Sequence, residues 1–243
     1  MIELVFLGLF VGSLSGFFGI GGGTILVPIL LFMSYDIKTA IGISVVQMVF
    51  SSLYGSFLNF KKGSLAFDTV LPIGIGGFVG ALLSGWIVSN VEANVLEYVF
   101  LIFVCIAIAR MAYSPGQYQE SKKIHPIVLF LIGTVLGVFS ISIGVGGSIL
   151  LVPILVGFLH FELKKAISAG LFFVVFSSIS GLISLSVVGQ IQYLDGIIIG
   201  AASLAGVYFG VQLNHKTSSI LQKRLLLGFY ISVLSYLIFR TFS

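Results

Sequence analysis

The chain has 243 residues, of which 58% are apolar and only 8% charged, with a formal net charge of +4. Mean hydropathy is +1.19, and a soluble domain would carry roughly a quarter of its residues as charges, so the composition excludes a soluble fold and specifies a polytopic membrane protein. The twelve lysines and arginines are spread over short stretches between apolar runs, not gathered on one face, which argues against nucleic acid as a partner.

Ten apolar segments follow in chain order, about 2–18, 24–33, 40–59, 68–89, 94–113, 127–143, 149–160, 166–187, 193–213 and 224–241. All are expected to be helices. The N-terminus, Met1-Ile2-Glu3, lacks the positive region of a cleavable signal peptide, so the first helix is expected to stay. A full span needs about 20 residues. Segments 24–33 and 149–160 are far shorter and read as half-helices reaching about half of the hydrocarbon core.

Each half-helix begins at a glycine cluster, and the cluster occurs twice. Gly19-Ile-Gly-Gly-Gly-Thr-Ile-Leu-Val-Pro28 returns as Gly144-Val-Gly-Gly-Ser-Ile-Leu-Leu-Val-Pro153. Glycine is a poor interior for a transmembrane helix, and irregular backbone at membrane depth survives only where protein or a water-filled cavity satisfies it. A pair of broken helices is therefore expected, with the breaks facing each other across a polar site.

The duplication extends further. Asp36-Ile-Lys-Thr-Ala-Ile matches Glu162-Leu-Lys-Lys-Ala-Ile, and Val49-Phe-Ser-Ser52 matches Val175-Phe-Ser-Ser178. Gly55, Gly74, Gly80 and Asp68 pair with Gly181, Gly200, Gly206 and Asp195, the offset staying between 125 and 127. Two membrane repeats, 1–113 and 126–243, are expected on either side of a cytoplasmic linker, 114–125, that carries Pro115, Gly116, Lys122 and Lys123. Basic residues mark cytoplasmic loops. Lys61-Lys62 and the linker mark them in the first repeat, Lys164-Lys165 and Lys216, Lys223 and Arg224 in the second, while loops 90–94 and 188–192 carry none. Corresponding loops then lie on opposite sides, as an odd number of segments per repeat also requires, so the repeats are expected to be inverted. Lys38 and Arg240 run against this scheme.

Inverted repeats with paired broken helices are a transporter design in which half-helix N-termini point at anionic groups near the midplane. The first N–H groups of a helix lack intrahelical partners and carry partial positive charge. Gly21, Gly22, Gly23 and Thr24 would present them in one repeat, and Gly146, Gly147, Ser148 and Ile149 in the other. The competing reading is a tight helix crossing. Hydroxyls form a second candidate set: Ser51, Ser52, Ser177 and Ser178, with Gln47 one turn from Ser51 and with Ser13, Ser15, Ser140 and Ser142 before the breaks. Each either lines the substrate or bonds a helix backbone. Small residues four apart, such as Gly8, Gly12 and Gly16, or Gly206 and Gly210, read as close helix packing.

Asp68 and Asp195 start segments and Glu97 lies near another start, where helix-end stabilisation is the expected role. His125, His160 and His215 fall at loops, so no metal site or catalytic constellation is expected, nor a cofactor. Cys105 is the sole cysteine, which excludes an internal disulfide, and it reads as a small buried hydrophobe.

The duplicated Gly-x-Gly-Gly-Gly/Ser…Val-Pro segments, each near the start of a repeat, resemble the TauE/SafE sulfite-exporter family of membrane permeases over almost the whole chain. The resemblance implies a multi-pass protein of the bacterial cytoplasmic membrane that moves sulfite, thiosulfate, sulfoacetate or a related organosulfonate. The partners expected are a small anion, the lipid bilayer and a coupling cation (H+ or Na+), unless the protein is a uniporter. Ser148 stands where the first repeat has Gly23, so two-fold symmetry at the site is imperfect. A non-transporting membrane subunit that anchors a partner is the alternative, and an intramembrane enzyme comes third.

Overall fold

A chain in lipid must satisfy every backbone N–H and C=O internally, which leaves helices or closed barrels. The computed structural model describes residues 1–65, 67–113 and 124–242. Those residues form eleven helices: α1 Ile2–Phe18, α2 Gly23–Phe32, α3 Ile37–Lys61, α4 Phe67–Ala81, α5 Ser84–Asn90, α6 Ala93–Tyr113, α7 Pro126–Ser142, α8 Ser148–Gly157, α9 Leu163–Val187, α10 Tyr193–Lys216 and α11 Ser219–Phe242. Among the described residues, five stretches are long and apolar enough to cross a membrane: Ile37–Lys61, Phe67–Asn90, Asn94–Tyr113, Leu163–Val187 and Tyr193–Lys216. The protein is an all-helical, multi-pass membrane protein. The expected linker lies outside the described residues as far as Lys123, and so does the Arg240 side chain.

Local chemistry sets the boundaries. α3 starts earlier than its apolar run because the Asp36 carboxylate caps it, accepting from the Thr39 N–H at 3.0 Å. Segment 68–89, expected as one helix, is two. The chain tightens at Leu83, whose N–H donates to Gly80 O at 3.1 Å. The Leu82 carbonyl then accepts from Ser184 Oγ at 2.6 Å, and the same hydroxyl accepts from the Gly85 N–H at 2.8 Å. One serine on α9 thus satisfies both strands of the interruption. The half-helices α2 and α8 end alike, at left-handed residues Ser34 (φ 69°) and His160 (φ 58°), which reverse the chain into α3 and α9.

Packing comes in matched pairs. α1 lies on α10 as α7 lies on α4; α3 meets α10 as α9 meets α4; α2 meets α11 as α8 meets α6. The central helices α3 and α9 pack on each other, and 67% of the apolar window of each is buried, against 29% for α6. The α1–α10 and α7–α4 crossings use the small-residue stripes on both helices. A methyl group on Gly12 would enter the shell of the Ser203 carbonyl, and one on Gly206 that of Leu9; Gly137 and Gly80 stand likewise against Gly77 and Thr134.

Three expectations need correction. Cys105 is exposed on the outer face of α6, because lipid tails are as apolar as a protein core and apolarity does not imply burial there. Glu97 is the fifth residue of α6, past its first turn, whereas Asp68 and Asp195 do lie in the first turns of α4 and α10. His215 belongs to the last turn of α10, not to a loop, and its Nε2 lies 3.1 Å from Asn59 Oδ1.

Candidate functional site

Both glycine clusters break the chain in the same way. Gly19 closes α1 at φ 72°, and Gly21 and Gly22 follow at 71° and 84°. Gly144, Gly146 and Gly147 repeat this at 72°, 75° and 85°. A side chain at any of these six would be strained in the left-handed region. Gly22 and Gly147 are the N-caps of α2 and α8, neither of which receives a side-chain cap. The carbonyl of Gly22 accepts from Leu26 N at 2.9 Å, and that of Gly147 from Leu151 N at 3.0 Å. Helix N-termini therefore open at both breaks, as the glycine spacing predicts.

The breaks touch. A methyl group on Gly23 would collide with the carbonyl oxygen of Gly144. Gly170 of α9 fits between the other ends, where its Cβ would lie 2.8 Å from Gly19 O and 3.2 Å from Ser148 Cβ. The space between the clusters holds Met48 and Val174. Met48 Sδ would lie 2.9 Å from a Cβ on Gly23 and 2.6 Å from one on Gly146, while Val174 abuts Gly21 and Gly146. The contact is thus partly apolar, not a polar space alone. Every residue of 15–28 and 140–153 is buried, so the site is occluded from both sides.

The two serine pairs separate by role. Ser51 Oγ donates to Gly21 O at 3.2 Å, sharing its proton with Met48 O at 3.3 Å. Ser177 Oγ does the same with Gly146 O and Phe173 O, both at 3.2 Å. These hydroxyls brace the breaks. Ser178 bonds its own helix at Val175 O (3.4 Å), as do Ser13 and Ser142 at Leu9 O and Val138 O. The hydroxyls of Thr24, Ser52, Ser148, Ser15 and Ser140, and both amide atoms of Gln47, are buried with no hydrogen-bond partner in the protein. Leaving such a group unpaired costs about 1–3 kcal/mol, and a cluster of them beside two helix ends is where a polar ligand would find partners.

Among the described residues, the buried polar side chains are those of Ser, Thr, Asn and Gln together with Tyr230, whose hydroxyl donates to Ile149 O at 3.3 Å, and no group of His, Cys, Asp and Glu is placed to hold a metal. Any charge met at the breaks is met by neutral dipoles. Cations gather instead where α3 and α10 end and α9 begins. Lys62 Nζ donates to Gln212 Oε1 at 2.8 Å and Lys164 Nζ to His215 O at 3.1 Å. Burial, and then the neighbouring Lys216, push Lys62 below the ordinary lysine range. Asn214 Nδ2 donates to Phe17 O at 2.6 Å, which links this group to the last turn of α1 before the break.

The family model described as "Sulfite exporter TauE/SafE" matches residues 4–237. The chain belongs to the TauE/SafE family. Among its relatives, a probable membrane transporter protein of Methanocaldococcus jannaschii is 27% identical over 235 residues, covering 88% of this chain and 86% of the relative. The probable membrane transporter protein YunE of Bacillus subtilis is 25% identical, covering 88% and 89%. A probable membrane transporter protein of Haemophilus influenzae is 26% identical, covering 78% and 76%. No solved structure matches the chain. TauE/SafE membership and these relatives make the protein a membrane transporter, not an enzyme.

Sequence reasoning missed Met48, Val174 and Phe173. Their signal lay in the repeat itself, since an offset of 126 sets Gln47 against Phe173 and Met48 against Val174.

Proposed function

We propose that this TauE/SafE protein is a secondary transporter of small sulfur-containing oxyanions or organosulfonates, of the sulfite, thiosulfate or sulfoacetate type. It works by alternating access around an anion site formed at the two breaks. One observation carries this reading: two buried half-helix N-termini, built on six left-handed glycines, meet amid hydroxyl and amide groups that have no protein partner. Helix ends attract anions through free N–H groups and the helix dipole, and they do so without a buried cation to release. The occluded arrangement is the intermediate in which neither side reaches the site. Opening to one side requires α2 or α8 to move relative to the α3–α9 pair, with Met48 and Val174 following.

The protein sits in the cytoplasmic membrane as two inverted repeats, with the loops at Lys61-Lys62, Lys164-Lys165 and Lys216 inside and Lys38 outside. The test is counterflow of radiolabelled sulfite in proteoliposomes against unlabelled thiosulfate, sulfoacetate, sulfate and acetate. Selective exchange by sulfur oxyanions is expected. No exchange by protein shown to be folded would favour a non-transporting role as a membrane anchor for a partner.

A further inference from the structure

The two breaks match in backbone but differ in what covers them. A Cβ on Gly22 would meet the Gln47 carboxamide, with Nε2 at 2.8 Å and Oε1 closer still. A Cβ on Gly147 would meet the Phe173 ring edge, with Cζ at 3.1 Å, and Ser140 Oγ at 2.9 Å. Two residues into α2 stands Thr24, its hydroxyl unpartnered, where α8 has Ile149. Gln47 is fully buried at 0% exposure, and neither its donor nor its acceptor is used by the protein.

Resting on the reading of the breaks as an anion site, we infer that Gln47 at the α2 end sets what the site accepts: a monoanion carrying an O–H or N–H of its own. A carboxamide offers two donors and one acceptor. Its NH2 suits an oxyanion, but its carbonyl oxygen repels a bare one and needs a donor in return. A ligand that satisfies both atoms presents an anionic oxygen together with a hydroxyl or amine hydrogen. Charge gives the same answer. The helix end supplies roughly half an elementary charge, and among the described residues no buried cation adds to it. Burial of unpaired charge is costly, so one negative charge is accommodated far better than two. The class is a singly protonated inorganic oxyanion or a short hydroxy-substituted sulfonate. At the α8 end, Phe173 and Ile149 stand where the α2 end has Gln47 and Thr24, so the polar groups left there are the hydroxyls of Ser140 and Ser148, with no carboxamide.

The experiment compares 2-hydroxyethanesulfonate with ethanesulfonate, equal in charge and differing by one hydroxyl. Binding to the purified full chain is read by ligand-induced thermal stabilisation and by competition in sulfite counterflow. The hydroxylated probe is expected to bind about tenfold tighter or better, as for a site built to pair with a hydroxyl. Gln47→Met keeps the side-chain shape and removes both polar atoms, so it is expected to erase the preference and to raise the melting temperature without ligand. Phe173→Leu keeps the preference. Sulfite exchange with no preference between the probes, or a preference that survives Gln47→Met, overturns this inference and leaves the transporter reading standing. If neither probe binds and sulfite does not exchange, both fall.

Discussion

The carbonyl oxygen of Gly144 packs against the Cα of Gly23, so the loop that opens α8 and the first residue of α2 share one buried contact. The second repeat has Ser148 at the position of Gly23, yet no such collision arises there, because Ser148 Cβ faces Gly170, itself without a side chain. The pair of breaks is thus closed by a glycine on each side, drawn from different elements.

Gly23→Ala is expected to destabilise the protein by about 1–3 kcal/mol, the range for overpacking a well-packed interior, and to abolish exchange. Ser148→Ala, which only removes an unpartnered hydroxyl, is expected to keep its melting temperature close to that of the parent. Thermal unfolding in detergent and counterflow check both.

Ser51→Ala and Ser177→Ala each remove a bond to a break carbonyl. Since each hydroxyl also reaches a carbonyl of its own helix, the expected cost is small, about 0.6 kcal/mol apiece, the mean for such bonds within membranes. A loss beyond about 2 kcal/mol would show that the breaks depend on these braces far more than one shared hydrogen bond allows.

Met48→Ala empties space between the breaks and is expected to lower stability by about 2–5 kcal/mol. Met48→Leu, which conserves volume, is expected to cost under about 1.5 kcal/mol. Thermal unfolding separates the two.

Glycine placement makes a paired prediction. Gly12→Ala forces α1 away from the Ser203 carbonyl and is expected to reduce the folded yield, while a Cβ on Gly228 of α11 meets nothing within 4 Å. Gly228→Ala is therefore expected to be neutral, or stabilising by up to about 1 kcal/mol through helix propensity. Size-exclusion profiles of the two variants give the readout.

Topology has its own measurement. Gly63 and Gly189 sit in matching open loops, with φ of 68° and 71° and nothing within 4 Å of a built Cβ. A compartment-sensitive reporter inserted at Gly63 is expected to report the cytoplasm, and one at Gly189 the opposite side. Both on one side would remove the inversion of the repeats.

The breaks were legible in the sequence because they are written in local chemistry. Glycine takes the left-handed backbone at positions 19, 21 and 22 and at 144, 146 and 147 without the steric cost a side chain meets there, and a ten-residue apolar run is too short to span. The composition likewise determined a helical membrane protein, and the residue stripes determined close crossings. Which hydroxyls are free was not legible. Ser51 and Ser52 are neighbours in sequence, but successive helix residues point about 100° apart, so one braces a break while the other has no partner. The apolar filling between the breaks, Met48 and Val174, and the contrast of Gln47 with Phe173 depend on which helices meet and at what register. The fate of Cys105 depended on the same thing, since in lipid an apolar side chain is equally at home inside or outside. Local backbone demands are fixed residue by residue; the lining of a site is fixed only when distant helices pack.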